Sequence, residues 1–105
     1  MSINLADYSF DGPYGSTQQL EDRAGVYAIL AATEPNRYRV VDVGESAAVR
    51  SRVAYHDRAL QWRAAAGGAG LFCAVRYTPG RQQATRTLLE QAVRTHYRPL
   101  PCGER

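Results

Sequence analysis

Lysine is missing from this 105-residue chain: all thirteen basic residues are arginine. Beside abundant alanine and glycine this reads as coding bias, so the choice of Arg over Lys at a single position carries no functional information. Cysteine is scarce. Cys73 and Cys102 lie far apart and form no CxxC pair, which points to free thiols in a reducing compartment, and with His56 and His96 they match no zinc-ligand spacing. No apolar run approaches the twenty or so residues of a membrane span, and the N-terminus MSINLADYSF lacks a basic region followed by an apolar one. A cytoplasmic protein without a membrane partner is expected. Internal repeats, coiled-coil heptads, a Walker loop and a dinucleotide glycine motif are all absent, which removes the common nucleotide-binding folds.

What is present is ordinary for one globular domain: 45% hydrophobic and 22% charged residues, on a chain long enough for a single core. The net charge of +3 hides an asymmetry. Residues 1–45 hold three arginines against seven acids, a balance of −4, whereas residues 46–105 hold ten against three, a balance of +7. An Arg-rich half suits phosphate, because a guanidinium offers a planar fork to oxygen pairs.

Residues 1–23 show no sustained period and are expected to be an irregular segment packing on the core, with turns around Phe10–Gly15 and a single helical turn within Ser16–Asp22. From Gly25 to Ala32 and from Tyr38 to Val43 apolar residues alternate, and Thr33-Glu34-Pro35-Asn36 supplies a turn between them, so an antiparallel hairpin is predicted. Gly44 and Ser46 then switch the chain into a helix over about Ala47–Arg63, with apolar positions Val49, Val53 and Leu60, and with Arg52 and His56 one turn apart on one face. Leu71–Tyr77 is nearly continuously apolar and reads as a strand buried on both faces. A last helix over about Gln82–Tyr97 is predicted to bury Leu88, Leu89, Ala92, Val93 and His96, leaving Arg86, Glu90 and Arg94 as a ladder beside that stripe. The fold class expected is therefore α/β: a small three-stranded, mainly antiparallel sheet flanked by helices, in one domain spanning residues 1–105.

Gly25-Val26-Tyr27, Asp42-Val43-Gly44, Arg52, His56 and Glu90 occur in an order and spacing that resembles the GIY-YIG nuclease domain, over roughly Ala24–Pro101. The sequence departs from that pattern at Asp42, which stands where the second tyrosine of the family name is expected. The hairpin is also longer, and no asparagine follows the final helix in Tyr97–Gly103.

The resemblance implies a metal-dependent endonuclease hydrolysing nucleic-acid phosphodiesters, DNA more than RNA, as a monomer. In that reading Tyr27 takes the proton from water with help from His56, Arg52 holds a non-bridging oxygen, and Glu90 ligates a single Mg²⁺ or Mn²⁺. Arg50, Arg58, Arg86 and Arg94 line the nucleic acid. Asp42 would be a second ligand or the residue that positions water, because an unpaired carboxylate in a half-buried strand is costly. Two alternatives stay open: a nucleic-acid-binding adaptor of the same fold that does not cut, and a protein-interaction domain with a vestigial cleft.

Overall fold

The computed structural model describes residues 1–103, and in it the two alternating segments are the longest strands. Strand β3 (Gly25–Glu34) and β4 (Arg37–Ser46) pair antiparallel, turning at Pro35 and at Asn36, whose φ of 62° lies in the left-handed region that asparagine tolerates. The apolar strand expected at Leu71–Tyr77 is β5. It pairs antiparallel with β3 and has strands on both sides, which is why almost every one of its residues is apolar.

The expectation of a three-stranded sheet is corrected by the N-terminal segment. Residues 1–23 are not irregular throughout: β1 (Ser2–Leu5) and β2 (Tyr8–Tyr14) form a hairpin, β2 adds to β5, and the sheet has five strands in the order β1-β2-β5-β3-β4, every neighbouring pair antiparallel. The hairpin turns at Ala6 and Asp7, both with positive φ (52° and 69°). Such a two-residue turn normally advertises itself through Asn-Gly or Asp-Gly, and neither is present. A short 3₁₀ turn at Thr17–Gln19 follows, capped reciprocally by Ser16 and Gln19.

The single long helix predicted over Ala47–Arg63 is two helices, α1 (Val49–Ala54) and α2 (Ala59–Ala66). His56 makes the break: its Nδ1 accepts the Arg58 backbone N–H at 3.0 Å, giving that donor a partner that is not a helical carbonyl. As a result Leu60, expected in the apolar stripe, is solvent-exposed. Asp22 fixes the start of α1 from a distance, accepting the Ser51 N–H at 2.9 Å and the Ser51 hydroxyl at 2.6 Å. Helix α2 ends at Gly67, whose φ of 59° is the left-handed stop that glycine takes without strain.

The core has a layer on each face of the sheet. One joins Tyr27, Ile29, Val41 and Val75 to Val49, Val53 and Trp62 of α1 and α2. The other joins Val26, Ala28, Leu30, Val43 and Ala74 to Val93 of α3 (Gln83–His96), with Phe10 and Leu100 closing its margins. Helix α3 lies within a residue of its expected bounds but is rotated from the expected orientation. Leu88, Ala92 and His96 face solvent, while Arg86, Val93 and Arg94 are buried and Leu89 and Glu90 half-buried. The face read as a surface ladder is the one turned toward β4.

Candidate functional site

The alternation of β4 is interrupted where the candidate residues begin. Ile29 pairs with Asp42 but Leu30 with Val40, so Val41 is an extra residue on the edge strand. The bulge shifts the phase: Tyr38 and Val40 pack with the α3 layer, whereas Val41 packs with the α1–α2 layer and Asp42 meets Trp62 and Arg58.

Asp42 is fully buried and saturated. Its Oδ2 accepts from Arg58 Nε and Trp62 Nε1, both at 2.8 Å. Its Oδ1 accepts from Arg94 Nη2 at 2.7 Å and from the Val43 N–H at 2.9 Å. Burial by itself would raise its pKa, but the bonds from Arg58, Trp62 and Arg94 outweigh it and hold the carboxyl below its ordinary range. The compensation that the sequence left to a metal or to Arg52 comes from two other arginines and the only tryptophan. Arg94 also donates to the Val43 and Cys102 carbonyls, and the Cys102 N–H donates to Val41 O at 3.1 Å. Together they occupy backbone acceptors along the outer edge of β4, which would otherwise be open to pairing.

Tyr27, Arg52 and His56 gather under α1. The Tyr27 ring is buried and lies over Gly44, where an added Cβ would fall 2.3 Å from the phenol oxygen. The His56 ring meets it edge-on at 6.1 Å and lies 4.5 Å from the ring of Trp62. Burial pushes the Tyr27 phenol up to about 12, against the pull of Arg52 and Arg58 and with the help of the Asp42 charge. The His56 side chain is sealed from solvent, and burial, Arg52 and Arg58 all lower its pKa. Because Nδ1 already accepts from Arg58, its proton sits on Nε2, and the 3.3 Å approach of Asp57 to Nδ1 is not an ion pair. Nε2 has no hydrogen-bond partner among the described residues. Arg52, which α1 carries outward, is half-exposed and binds Asp57 at 3.0 Å.

Glu90 belongs to the other layer. Its pKa is raised by burial, with Arg94 opposing and Glu45 adding to the rise, and its bond from Gln91 is long at 3.4 Å. Glu45, the nearby acid on β4, is held by Arg86 Nε at 2.9 Å, with both side chains largely withdrawn from water. A divalent cation placed here would find Asp42 and Glu45 both committed to arginines. No group of three or more His, Cys, Asp or Glu able to hold a metal occurs among the described residues, Cys73 and Cys102 included. The described residues therefore do not form a preformed Mg²⁺ or Mn²⁺ cage: Asp42 and Glu45 are paired with arginines, and Glu90 accepts from Gln91.

Of the arginines assigned to nucleic acid from sequence, Arg86 and Arg94 point inward and Arg58 is three-quarters covered by its pairing with Asp42. Arg50 is exposed, as are Arg63 and the unassigned Tyr55, which is 87% exposed. Trp62 was the residue missed; its place four positions after Arg58 on a helix was the available signal. No described helix is long and apolar enough to cross a membrane. Compared with protein-family models, with curated proteins and with solved structures, the chain matches none.

Proposed function

We propose that this domain binds nucleic acid at the corner where α1 meets α2 and does not cleave it. The observation that carries the reading is Tyr55, 87% exposed between Arg52 and Arg58. An exposed aromatic flanked along the chain by arginines, with Arg52 half-exposed, suits a strand whose bases stack and whose phosphates meet positive charge. Arg50 on α1 and Arg63 on α2 are further exposed arginines. The interface is thus displaced from α3, whose buried arginines serve the fold, to the α1–α2 corner. The phenol of Tyr27, pushed up to about 12, and the four donors on Asp42 argue for binding without hydrolysis.

Fluorescence anisotropy with a short labelled single-stranded DNA tests this. Affinity should fall steeply as salt rises, be indifferent to EDTA, and weaken by roughly five- to 150-fold in Tyr55→Ala, given about 1–3 kcal/mol per stacked base. Absence of binding at low salt, or an unchanged Tyr55→Ala, overturns it. A second reading, metal-dependent phosphodiester hydrolysis, is favoured by the gathering of Tyr27, Arg52 and His56. Plasmid nicking that requires Mn²⁺ and disappears in Glu90→Ala would replace the first reading with the second.

A further inference from the structure

His56 stands at the α1–α2 junction in a setting that suits the neutral ring only. Its Nδ1 accepts the Arg58 N–H at 3.0 Å, its Nε2 has no hydrogen-bond partner among the described residues, and its side chain is sealed from solvent. An acceptor for a protonated ring is already beside it. Asp57 Oδ1 lies 3.3 Å from Nδ1, and it is the same oxygen that Arg52 Nη2 holds at 3.0 Å. We propose, resting on the α1–α2 reading above, that His56 is a proton-operated switch for that surface: a proton taken up at Nδ1 draws Asp57 away from Arg52 and leaves Arg52 Nη2 for phosphate.

One atom changes its role. Neutral Nδ1 offers a lone pair, which the Arg58 N–H uses; once solvent has delivered a proton there, two donors face each other across 3.0 Å. The ring must turn its new N–H to the nearest acceptor, Asp57 Oδ1, and the Arg58 N–H at the start of α2 loses the partner that breaks the helix there. Asp57 is free to follow because its side chain is largely exposed. Its carboxyl also lies below the ordinary 3.8, chiefly through a bond from its own backbone N–H, so it is still charged when an imidazole titrates.

Every element packed on the ring bears on that proton. Arg52 of α1 and Arg58 at the start of α2 oppose it, whereas Asp57 in the junction and Asp42 of β4 favour it. Tyr27 of β3, its phenol pushed up to about 12, stays neutral, and Trp62 of α2 carries no charge. Asp42 is fixed by four donors, so Asp57 is the acid able to change partner. Burial and the two arginines keep the ring below its ordinary 6.5, so the switch is off at neutral pH and turns as pH falls below that value.

The full chain is titrated by NMR from pH 7.5 to pH 5, and its affinity for a short labelled single-stranded DNA is measured over the same range at constant ionic strength. The His56 ring nitrogens should show the Nε2–H tautomer at pH 7.5 and protonation below 6.5, and the Arg58 amide and Arg52 guanidinium signals should shift with the same midpoint. Affinity should rise on that midpoint by roughly two- to fivefold, the scale of one exposed ion pair. His56→Asn should lose the rise, and His96→Gln, which alters the other histidine, should keep it. Asp57→Asn should bind at pH 7.5 as wild type does in acid; Asp11→Asn, the same change of charge on β2, should not. A ring that stays neutral until the fold is lost, an Arg58 amide that ignores the His56 midpoint, or a rise that survives in His56→Asn would overturn the switch. No DNA binding at any pH, with the Arg52 and Arg58 signals still following His56, would overturn the binding reading and its regulation while leaving the proton-driven exchange of Asp57 established.

Discussion

Asp42 and Arg94 meet at 2.7 Å with both side chains withdrawn from water, although they lie 52 residues apart and belong to different layers of the molecule. With Arg58 and Trp62 reaching the same carboxylate from α2, one side chain on an edge strand ties both helical layers to the sheet. A position that pattern matching treats as chemistry is occupied by architecture.

Replacing that carboxylate should therefore be felt in stability before anything else. Asp42→Asn keeps the size but leaves the Arg94 and Arg58 charges without a counter-ion, and breaking one side of a buried pair costs about 3–5 kcal/mol. Because the folded pKa of Asp42 lies below its ordinary value of 3.8, the stability it provides is complete above that pH and is lost as pH falls through the lower folded value. Urea unfolding of wild type and variant from pH 7 down to pH 3 checks both points. A variant as stable as wild type at pH 7 would show that the four bonds on Asp42 contribute nothing.

His56 predicts a separate loss at milder acidity. Its pKa is lowered by burial, Arg52 and Arg58, so folding favours the neutral ring. That contribution is present above the unfolded value of 6.5 and is lost as pH falls below it through the folded one. Stability should begin to decline just below pH 6.5, and His56→Asn, which retains an acceptor for the Arg58 N–H, should remove that part of the slope. Titration of the His56 ring by NMR should give a midpoint below 6.5; a midpoint above it contradicts the sealed, neutral ring.

Two arginines that look alike in the sequence should behave differently. Arg86 is bonded to Glu45 with the pair largely buried, so Arg86→Ala should destabilise by about 3 kcal/mol or more, as loss of one partner from a buried pair does. Arg50 is exposed, and Arg50→Ala should stay within about 0.5 kcal/mol, as surface changes do. Thermal melts of the two variants decide it, and equal effects would refute the inward orientation of α3.

The contact of Tyr27 with Gly44 gives a coupled pair. A Cβ at position 44 would lie 2.3 Å from the phenol oxygen and 2.4 Å from the ring carbon that bears it, so Gly44→Ala should cost about 1–3 kcal/mol by overpacking. In Tyr27→Leu that clash is removed, and adding Gly44→Ala to it should cost clearly less than in wild type. A double-mutant cycle from denaturant unfolding measures the difference, and strict additivity would mean that the two positions do not touch.

Much of the scaffold was legible before any coordinates. Alternation and a Pro-Asn turn placed the β3–β4 hairpin, an apolar run placed β5 at Leu71–Tyr77, and a 3.6-residue period placed α3 within a residue of its ends. These features are local, because strand pleat, turn angles and helix pitch act between near neighbours. The β1–β2 hairpin was hidden because Ala6 and Asp7 hold positive φ without the glycine that usually marks such a turn, and the α1–α2 break because it depends on one imidazole accepting one N–H.

The candidate site divides along the same line. The sequence by itself determined which groups are available: a basic second half, a Tyr, an Arg and a His in reach of one another, and a carboxylate at an unexpected place in a strand. Only the tertiary structure decided what those groups face. A one-residue bulge at Val41 shifted the phase of β4, and α3 turned Arg86 and Arg94 inward because β4 offered them Glu45 and Asp42. A charge goes into the interior only where its counter-charge is already in place, and that meeting joins residues 41 and 52 positions apart, far beyond the range of any sequence period.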